Sequence, residues 1–111
     1  MNIIIGISWP FANGELHIGH AASSLPGDVI SRYHRLKGDK VILVSGTDCH
    51  GTPTEVKALQ ENKSPKEIVD DCHVSFSKDF KDFGISFDLY NRTDDPYHKE
   101  FVQEQFVKYY N

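Results

Sequence analysis

Long hydrophobic runs are missing from this 111-residue sequence. No stretch approaches the roughly 18 consecutive apolar residues that a membrane-crossing helix needs. Nor does the chain open with the charged, apolar and small-residue succession of a secretory signal. Both absences predict a cytoplasmic protein with no membrane partner. Cysteine is scarce: Cys49 and Cys72 are the two present. That excludes a disulfide framework, and reduced thiols are expected. Positive charge is short as well, with 12 Lys and Arg against 16 Asp and Glu, a net charge of −4. Such a balance lacks the basic face that a main grip on nucleic acid requires. Repeats, low-complexity segments and linkers are absent, so the length admits at most one domain. A hydrophobic content of 39% with 25% charged residues fits a soluble globular chain. At this size folding buries roughly two-thirds of the unfolded surface, enough for one core.

What is present is concentrated in one stretch, Trp9-Pro10-Phe11-Ala12-Asn13-Gly14-Glu15-Leu16-His17-Ile18-Gly19-His20. An apolar strand precedes it and a helix follows. A strand that hands over through a glycine-containing loop to a helix N-terminus makes an anion site, because unpaired N–H groups and the positive end of the helix dipole converge there. His17 and His20, three residues apart, fall on one face of the first turn. Each ring can donate to phosphate oxygens. Gly19 leaves room for a ligand against the backbone.

The flanking elements follow from periodicity. Asn2 to Ser8, with Ile3, Ile4, Ile5 and Ile7, reads as a parallel strand covered on both faces. A helix is expected from near His17, interrupted at Pro26-Gly27, where Pro26 suits the first turn of a restarted helix. Its second part carries an apolar stripe of Val29, Ile30, Tyr33 and Leu36, and Lys37-Gly38 ends it. Val41 to Val44 is a second buried strand, completing a β-loop-α-β unit. Thr52 as cap and Pro53 as first helical residue introduce a short helix over 55–60. Ser64-Pro65-Lys66-Glu67 is a capping box. The helix it opens should bury Ile68, Val69, Cys72, Phe76, Phe80 and Phe83 and stop at Gly84. Ser86 to Tyr90 is a short strand. Asp95-Pro96 starts a last helix with a stripe of Phe101, Val102, Gln105, Phe106 and Tyr109. The alternation predicts an α/β fold, about three parallel strands with flanking helices. That is the N-terminal half of a doubly wound, Rossmann-like sheet, whose ligand crevice needs both halves.

His17-Ile18-Gly19-His20 resembles the His-Ile-Gly-His signature of class I aminoacyl-tRNA synthetases. Pro10-Phe11-Ala12-Asn13-Gly14 resembles the Pro-Tyr-Ala-Asn-Gly lead-in of the methionyl-tRNA synthetases, with Phe11 in the tyrosine position. Gly46-Thr47-Asp48-Cys49-His50-Gly51-Thr52-Pro53 is similar to that family's Gly-Thr-Asp-Glu-His-Gly-Thr block, with Cys49 replacing the glutamate. The resemblance covers the whole chain and implies that residues 1–111 are the N-terminal part of the nucleotide-binding catalytic domain.

The implied reaction has two steps. Methionine attacks the α-phosphate of ATP, supplied with Mg2+ as substrate, to give methionyl-adenylate and pyrophosphate; the acyl group then moves to tRNA. By resemblance, His17 and His20 are the catalytic donors to the ATP phosphates, and Asn13, Gly14 and Gly19 complete the ATP site. The alternative for the histidines is that they only cap a helix. Asp48 at a strand's C-terminal end is implied to hold the substrate α-ammonium, the alternative being a helix N-cap. Ser8, Trp9 and Phe11 fall where the family lines its amino-acid pocket, or else belong to the core. Trp9 is larger than the usual leucine, and such changes are worth about 1–3 kcal/mol of discrimination per methylene. His50 and Gly51 either support the turn or line the pocket.

Cys49-His50 and Cys72-His73 do not have zinc spacing, and Cys72 shares an apolar stripe. No metal site is expected here; the family's zinc cysteines belong to an inserted segment beyond Asn111. Arg32, Arg35, Lys37 and Lys40 read as a solvated helix face, and Asp94-Asp95 with Glu100 and Glu104 as acidic surface. The family's Lys-Met-Ser-Lys-Ser signature is not in the sequence. The expectation is therefore a fragment that is inactive alone, with tRNA engaged elsewhere and a C-terminal half or other subunit as possible partner. Two other readings compete: a non-catalytic truncated paralogue that docks on a partner, and a small nucleotidyltransferase, which the Gly46-to-Pro53 block opposes.

Overall fold

Side chains, more than backbone, tie the outer parts of this structure together. The computed structural model describes residues 1–110. Strands β1 (Asn2–Gly6), β2 (Lys40–Thr47) and β3 (Leu89–Arg92) form one parallel sheet with β2 in the middle. Helix α1 (Ile18–Leu36) connects β1 to β2. Helices α2 (Thr52–Glu61) and α3 (Pro65–Asp82) connect β2 to β3, and α4 (Pro96–Tyr110) follows. The fold class read from the sequence is observed.

Alternate residues of the strands divide the sheet into two unlike faces. Ile5, Ile7 and Leu43 meet Phe76 and Phe80 of α3, with Ile85, Phe87 and Tyr90 completing the core. On the other face Ile4 and Ile42 are paired in register yet 76% and 50% exposed. The expectation of a strand covered on both faces therefore fails for β1, because α1 and α3 pack on the same side. The molecule is a slab of 49 × 42 × 18 Å.

Helix α1 corrects the sequence reading twice. It runs unbroken through Pro26, although a proline inside a helix costs about 3 kcal/mol. The small residues around Pro26 outweigh that cost by allowing a close approach to the sheet. Ser24, Asp28 and Ser31 are buried. A Cβ on Gly27 would come within 2.8 Å of the Ile7 side chain. The apolar stripe of Val29, Ile30, Tyr33 and Leu36 accordingly stays exposed.

The inward polar face of α1 has a partner. Asp28 accepts from the Ser86 N–H at 2.7 Å, from the Ser86 hydroxyl at 2.6 Å and from Arg32 Nε at 2.6 Å. Arg32 donates onward to the Gly84 carbonyl at 2.6 Å. Arg35 donates to the Ser86 hydroxyl and to Asp88, at 2.6 and 2.7 Å. Arg32 and Arg35 are thus a clamp on the loop after α3, where a solvated face was expected. The same clamp delays β3. The Leu43 N–H goes to the Asp88 carboxylate at 2.7 Å, so the ladder begins at Leu89 instead of Ser86.

The capping box of α3 forms as expected, with Ser64 and Glu67 each capping the other's backbone N–H. Ile68, Val69, Phe76 and Phe80 are buried, but Phe83, at the C-cap, is 48% exposed. Helix α2 starts at Thr52, one residue earlier than a Thr52 cap allows. Gly51 is its N-cap, at φ 120°, where an L side chain would be strained. Asp95 caps α4 by accepting from the Tyr97 N–H at 3.0 Å. The apolar stripe of α4 is left largely exposed: no residue of that helix is buried. Asp94, read as surface, is paired with Arg92.

The Asp28 clamp makes stability depend on pH. Burial pushes the Asp28 carboxyl up, but the Ser86 hydroxyl, Arg32 and the Ser86 N–H outweigh it, leaving the group below the ordinary carboxylate range. The Arg92 hydrogen bond holds Asp94 down to about 2. A carboxyl depressed by folding contributes stability above its unfolded value of about 4, and that contribution is lost as pH falls through the folded value. Urea unfolding should therefore show a step of lost stability below about pH 4 that belongs to these carboxylates. Asp28→Ala should lower stability at pH 7 by about 1–3 kcal/mol, chiefly from the unpaired Ser86 donors, and flatten part of the acid decline. Equal stability of variant and parent at pH 7 would refute the clamp.

Candidate active site

The site lies at the carboxyl ends of the parallel strands, where open α/β sheets bind ligands. Past β1 the ladder continues for one bond, Ile7 N–H to the Val44 carbonyl at 2.9 Å. The chain then crosses to the end of β2. The Asp48 N–H donates to the Pro10 carbonyl at 2.8 Å, and the Ala12 N–H to the Asp48 carbonyl at 2.9 Å, forming a parallel bridge between Phe11 and Asp48. Ala12 is fully buried, and the Thr54 hydroxyl donates to its carbonyl at 3.1 Å. The two sequence blocks, 37 residues apart at Phe11 and Asp48, are joined here by backbone.

Both histidines are caps. His17 is the N-cap of α1, its Nδ1 accepting from the Gly19 N–H at 3.1 Å. His20 Nδ1 accepts from the His17 N–H at 3.1 Å. The rings lie 4.0 Å apart between centroids. A nitrogen that accepts carries no proton, so both neutral rings have their proton on Nε2. Capping through Nδ1 therefore leaves an N–H donor on the far side of each ring. The cap and donor readings of these residues are compatible. Burial, and then the proximity of His17, lower the His20 pKa, which favours its neutral ring. Gly19 has a further reason to lack a side chain: a Cβ would meet the His17 ring at 2.9 Å. The Ser23 and Ser24 hydroxyls both donate to the His20 carbonyl, at 2.9 and 2.8 Å.

Ser8, Trp9, Phe11 and His20 line one cavity of about 230 Å³, together with Ser23 and Ser24. Phe11 is 50% exposed, so it is not core. Trp9 lies against Gly46, where a Cβ would come within 2.5 Å of its ring, and near His98, with ring centroids 6.1 Å apart. Asp48 is half-buried; its Oδ1 accepts a long 3.4 Å bond from the His50 N–H. The remaining expected residues do not share the first cavity. His17 opens between α1 and α3, Asn13 faces Thr52 and Lys57, Gly14 borders α2 and α3, and His50 shares a cavity with Thr93 and His98. Gly51 caps α2 and supports the turn.

Behind Asp48 lies a polar layer that sequence reasoning missed. The Thr47 hydroxyl meets His73 Nδ1 at 2.9 Å and the Tyr90 hydroxyl at 3.3 Å. Burial lowers the His73 pKa and pushes the Tyr90 hydroxyl up to about 12. Thr93 accepts from the Cys49 N–H at 2.8 Å. Partners more than 25 residues apart leave no local sequence signal. Cys72, adjacent to His73, turns the other way, its Sγ donating to the Gly14 carbonyl at 3.7 Å. Among the described residues no three of His, Cys, Asp and Glu gather as a metal site.

The profile of the family described as tRNA synthetases class I (M) matches residues 3–111. The methionine–tRNA ligase of Streptococcus pneumoniae (strain CGSP14) is 56% identical over 110 residues, covering 99% of this chain and 20% of that protein. Methionine–tRNA ligase 1 of Alkaliphilus oremlandii (strain OhILAs) is 57% identical over 103 residues, covering 93% and 19%. Among solved structures, the Mycobacterium tuberculosis methionyl-tRNA synthetase in complex with methionyl-adenylate matches with a TM-score of 0.87 at 27% identity, over 89% of this chain and 19% of that one. This chain spans about a fifth of the length of these relatives.

The histidine geometry has a direct spectroscopic consequence. Long-range proton–nitrogen NMR correlation at pH 7.5 should find both rings as the Nε2–H tautomer. At a fixed pH, His17→Ala should speed hydrogen exchange of the Gly19 amide and His20→Ala that of the His17 amide, because each loses its Nδ1 acceptor. An Nδ1–H tautomer for either ring would overturn the assignment.

Proposed function

This chain belongs to the class I tRNA synthetases, within the family whose profile spans residues 3–111, and we propose from that premise that it serves ATP-dependent activation of methionine and its transfer to tRNA. The observation that supports this reading is the Phe11–Asp48 bridge, which joins the loop leading into the His17–His20 caps, with their free Nε2–H donors, to the strand end that carries the Asp48 carboxylate. In the first step a methionine carboxylate oxygen bonds to the α-phosphorus of ATP. The bond from that phosphorus to the bridging oxygen breaks, and pyrophosphate leaves with the electron pair. Little covalent work falls to the protein; it positions the reactants and stabilises developing charge.

In this proposal the Nε2–H groups of His17 and His20 meet the phosphate oxygens. Neither ring acts as a nucleophile or base. Asn13, Gly14 and Gly19 bring backbone to the nucleotide at the positive end of α1. The Asp48 carboxylate accepts the substrate α-ammonium. Ser8, Trp9 and Phe11 wall the methionine side chain. ATP enters with Mg2+ as substrate, and tRNA is held outside these residues, consistent with the net charge of −4. The uncovered sheet face around Ile4 and Ile42 and the exposed stripe of α1 are where the rest of a two-half crevice packs.

The exposed apolar surface also favours a second reading, a non-catalytic subunit that docks on a partner. One experiment separates the two. The matching 110 residues of the Streptococcus pneumoniae ligase are replaced by this chain, and methionine-dependent ATP–pyrophosphate exchange is measured. The expected result is exchange by the chimera, lowered about 100-fold in kcat by His20→Asn, as for removal of one preorganised donor. The 111-residue polypeptide alone should give negligible exchange. A soluble, folded chimera without exchange would favour the docking subunit, and full exchange by the polypeptide alone would refute the need for further segments.

A further inference from the structure

We infer that Thr93 is a positioning residue for methionine binding, its hydroxyl setting the place of the Asp48 carboxylate; this rests on the proposed role of Asp48. Strands β2 and β3 stay in register up to Thr47 and Arg92. One more backbone bond follows, from the Thr93 N–H to the Thr47 carbonyl at 3.1 Å. The next donor along this edge of β2 is the Cys49 N–H. It goes to the Thr93 hydroxyl at 2.8 Å, so a side chain stands where a ladder would supply a carbonyl.

That substitution lets the chain leave β3 while β2 continues its turn. It also completes a grip from two sides. On the β1 side, Asp48 exchanges backbone bonds with Pro10 and Ala12 at 2.8 and 2.9 Å. On the β3 side, the next peptide is held by Thr93. Among the described residues the Asp48 carboxylate has only the long 3.4 Å bond from His50 N–H, so its position is inherited from the backbone that these contacts fix. Thr93 is anchored in turn. Its neighbour Arg92 donates from Nη2 to Asp70 of α3 at 2.7 Å and to Asp94 at 2.8 Å. Among the described residues no hydrogen bond joins Thr93 to His17 or His20, whose own caps lie within the first turn of α1, so loss of the Thr93 hydroxyl should fall on the amino-acid side of the site and leave the phosphate side in place.

Two measurements test this. In the chain itself, Thr93→Val should raise hydrogen exchange at the Cys49 amide about tenfold or more, with the Leu43 amide unchanged, and Thr93→Ser should keep the parental rate. An unaltered Cys49 amide in Thr93→Val would overturn the inference. In the chimera, Thr93→Val should raise KM for methionine about tenfold with KM for ATP unchanged, and Thr93→Ser should restore it. A methionine KM that does not move, or the two KM values rising together, would overturn it. Asp48→Asn is the reference. If it leaves the methionine KM unchanged, the role proposed for Asp48 fails by itself. If it raises that KM and Thr93→Val does not, only the positioning role of Thr93 fails.

Discussion

Two backbone hydrogen bonds, Asp48 N–H to Pro10 and Ala12 N–H to Asp48, hold the candidate site together. They extend the parallel pairing of β1 and β2 beyond the end of β1, across a loop that contains a proline and carries the side chains of interest. Everything else at the site hangs from this bridge. It brings the signature loop over the end of β2 and sends the following residues into α1. Behind it, Ala12 packs with Cys49 and Val69, with Cys72 against them. A parallel sheet suits this use, since all its strands end at the same edge and loops from successive strands meet there.

The histidines show how one side chain can serve structure and chemistry together. Imidazole has two nitrogens of opposite character when neutral. Nδ1 of each ring satisfies an N–H at the start of α1 that the helix leaves unpaired, and this use fixes the tautomer. The proton is thereby placed on the nitrogen turned away from the helix. Asparagine or serine would cap as well, but neither has a donor so far from the backbone.

Packing of α1 is governed by the same economy of space. Serine and glycine on its inner face allow close contact with the β1 side of the sheet, and the buried carboxylate of Asp28 is satisfied there by donors from Ser86 and Arg32. A buried charge is tolerated only when so satisfied. The outcome is a helix whose polar residues are inside and whose apolar stripe is outside, against the usual amphipathic order. In a sheet covered on one face alone, such a stripe is surface left for another packing partner.

By itself the sequence determined the fold class, the parallel order implied by strand–helix alternation, the capping box at Ser64, the helix stops at Gly38 and Gly84, and the two blocks whose residues line the strand ends. Each of these is written in neighbouring residues: propensity, caps, glycines and short spacing act within a turn or two. Tertiary structure alone decided the rest. Pro26 reads locally as a break, and only contact with Ile7 shows why the helix continues. Arg32 and Arg35 read as solvated until Gly84 and Ser86, each more than 50 residues away, supply their acceptors. Val29, Tyr33 and Phe101 read as core until the sheet is seen to be covered on one side. Thr93 carries no motif at all; its role exists because the end of β3 stops beside Cys49. Local rules place residues on elements, and hydrogen bonds between distant segments decide which of those residues face one another.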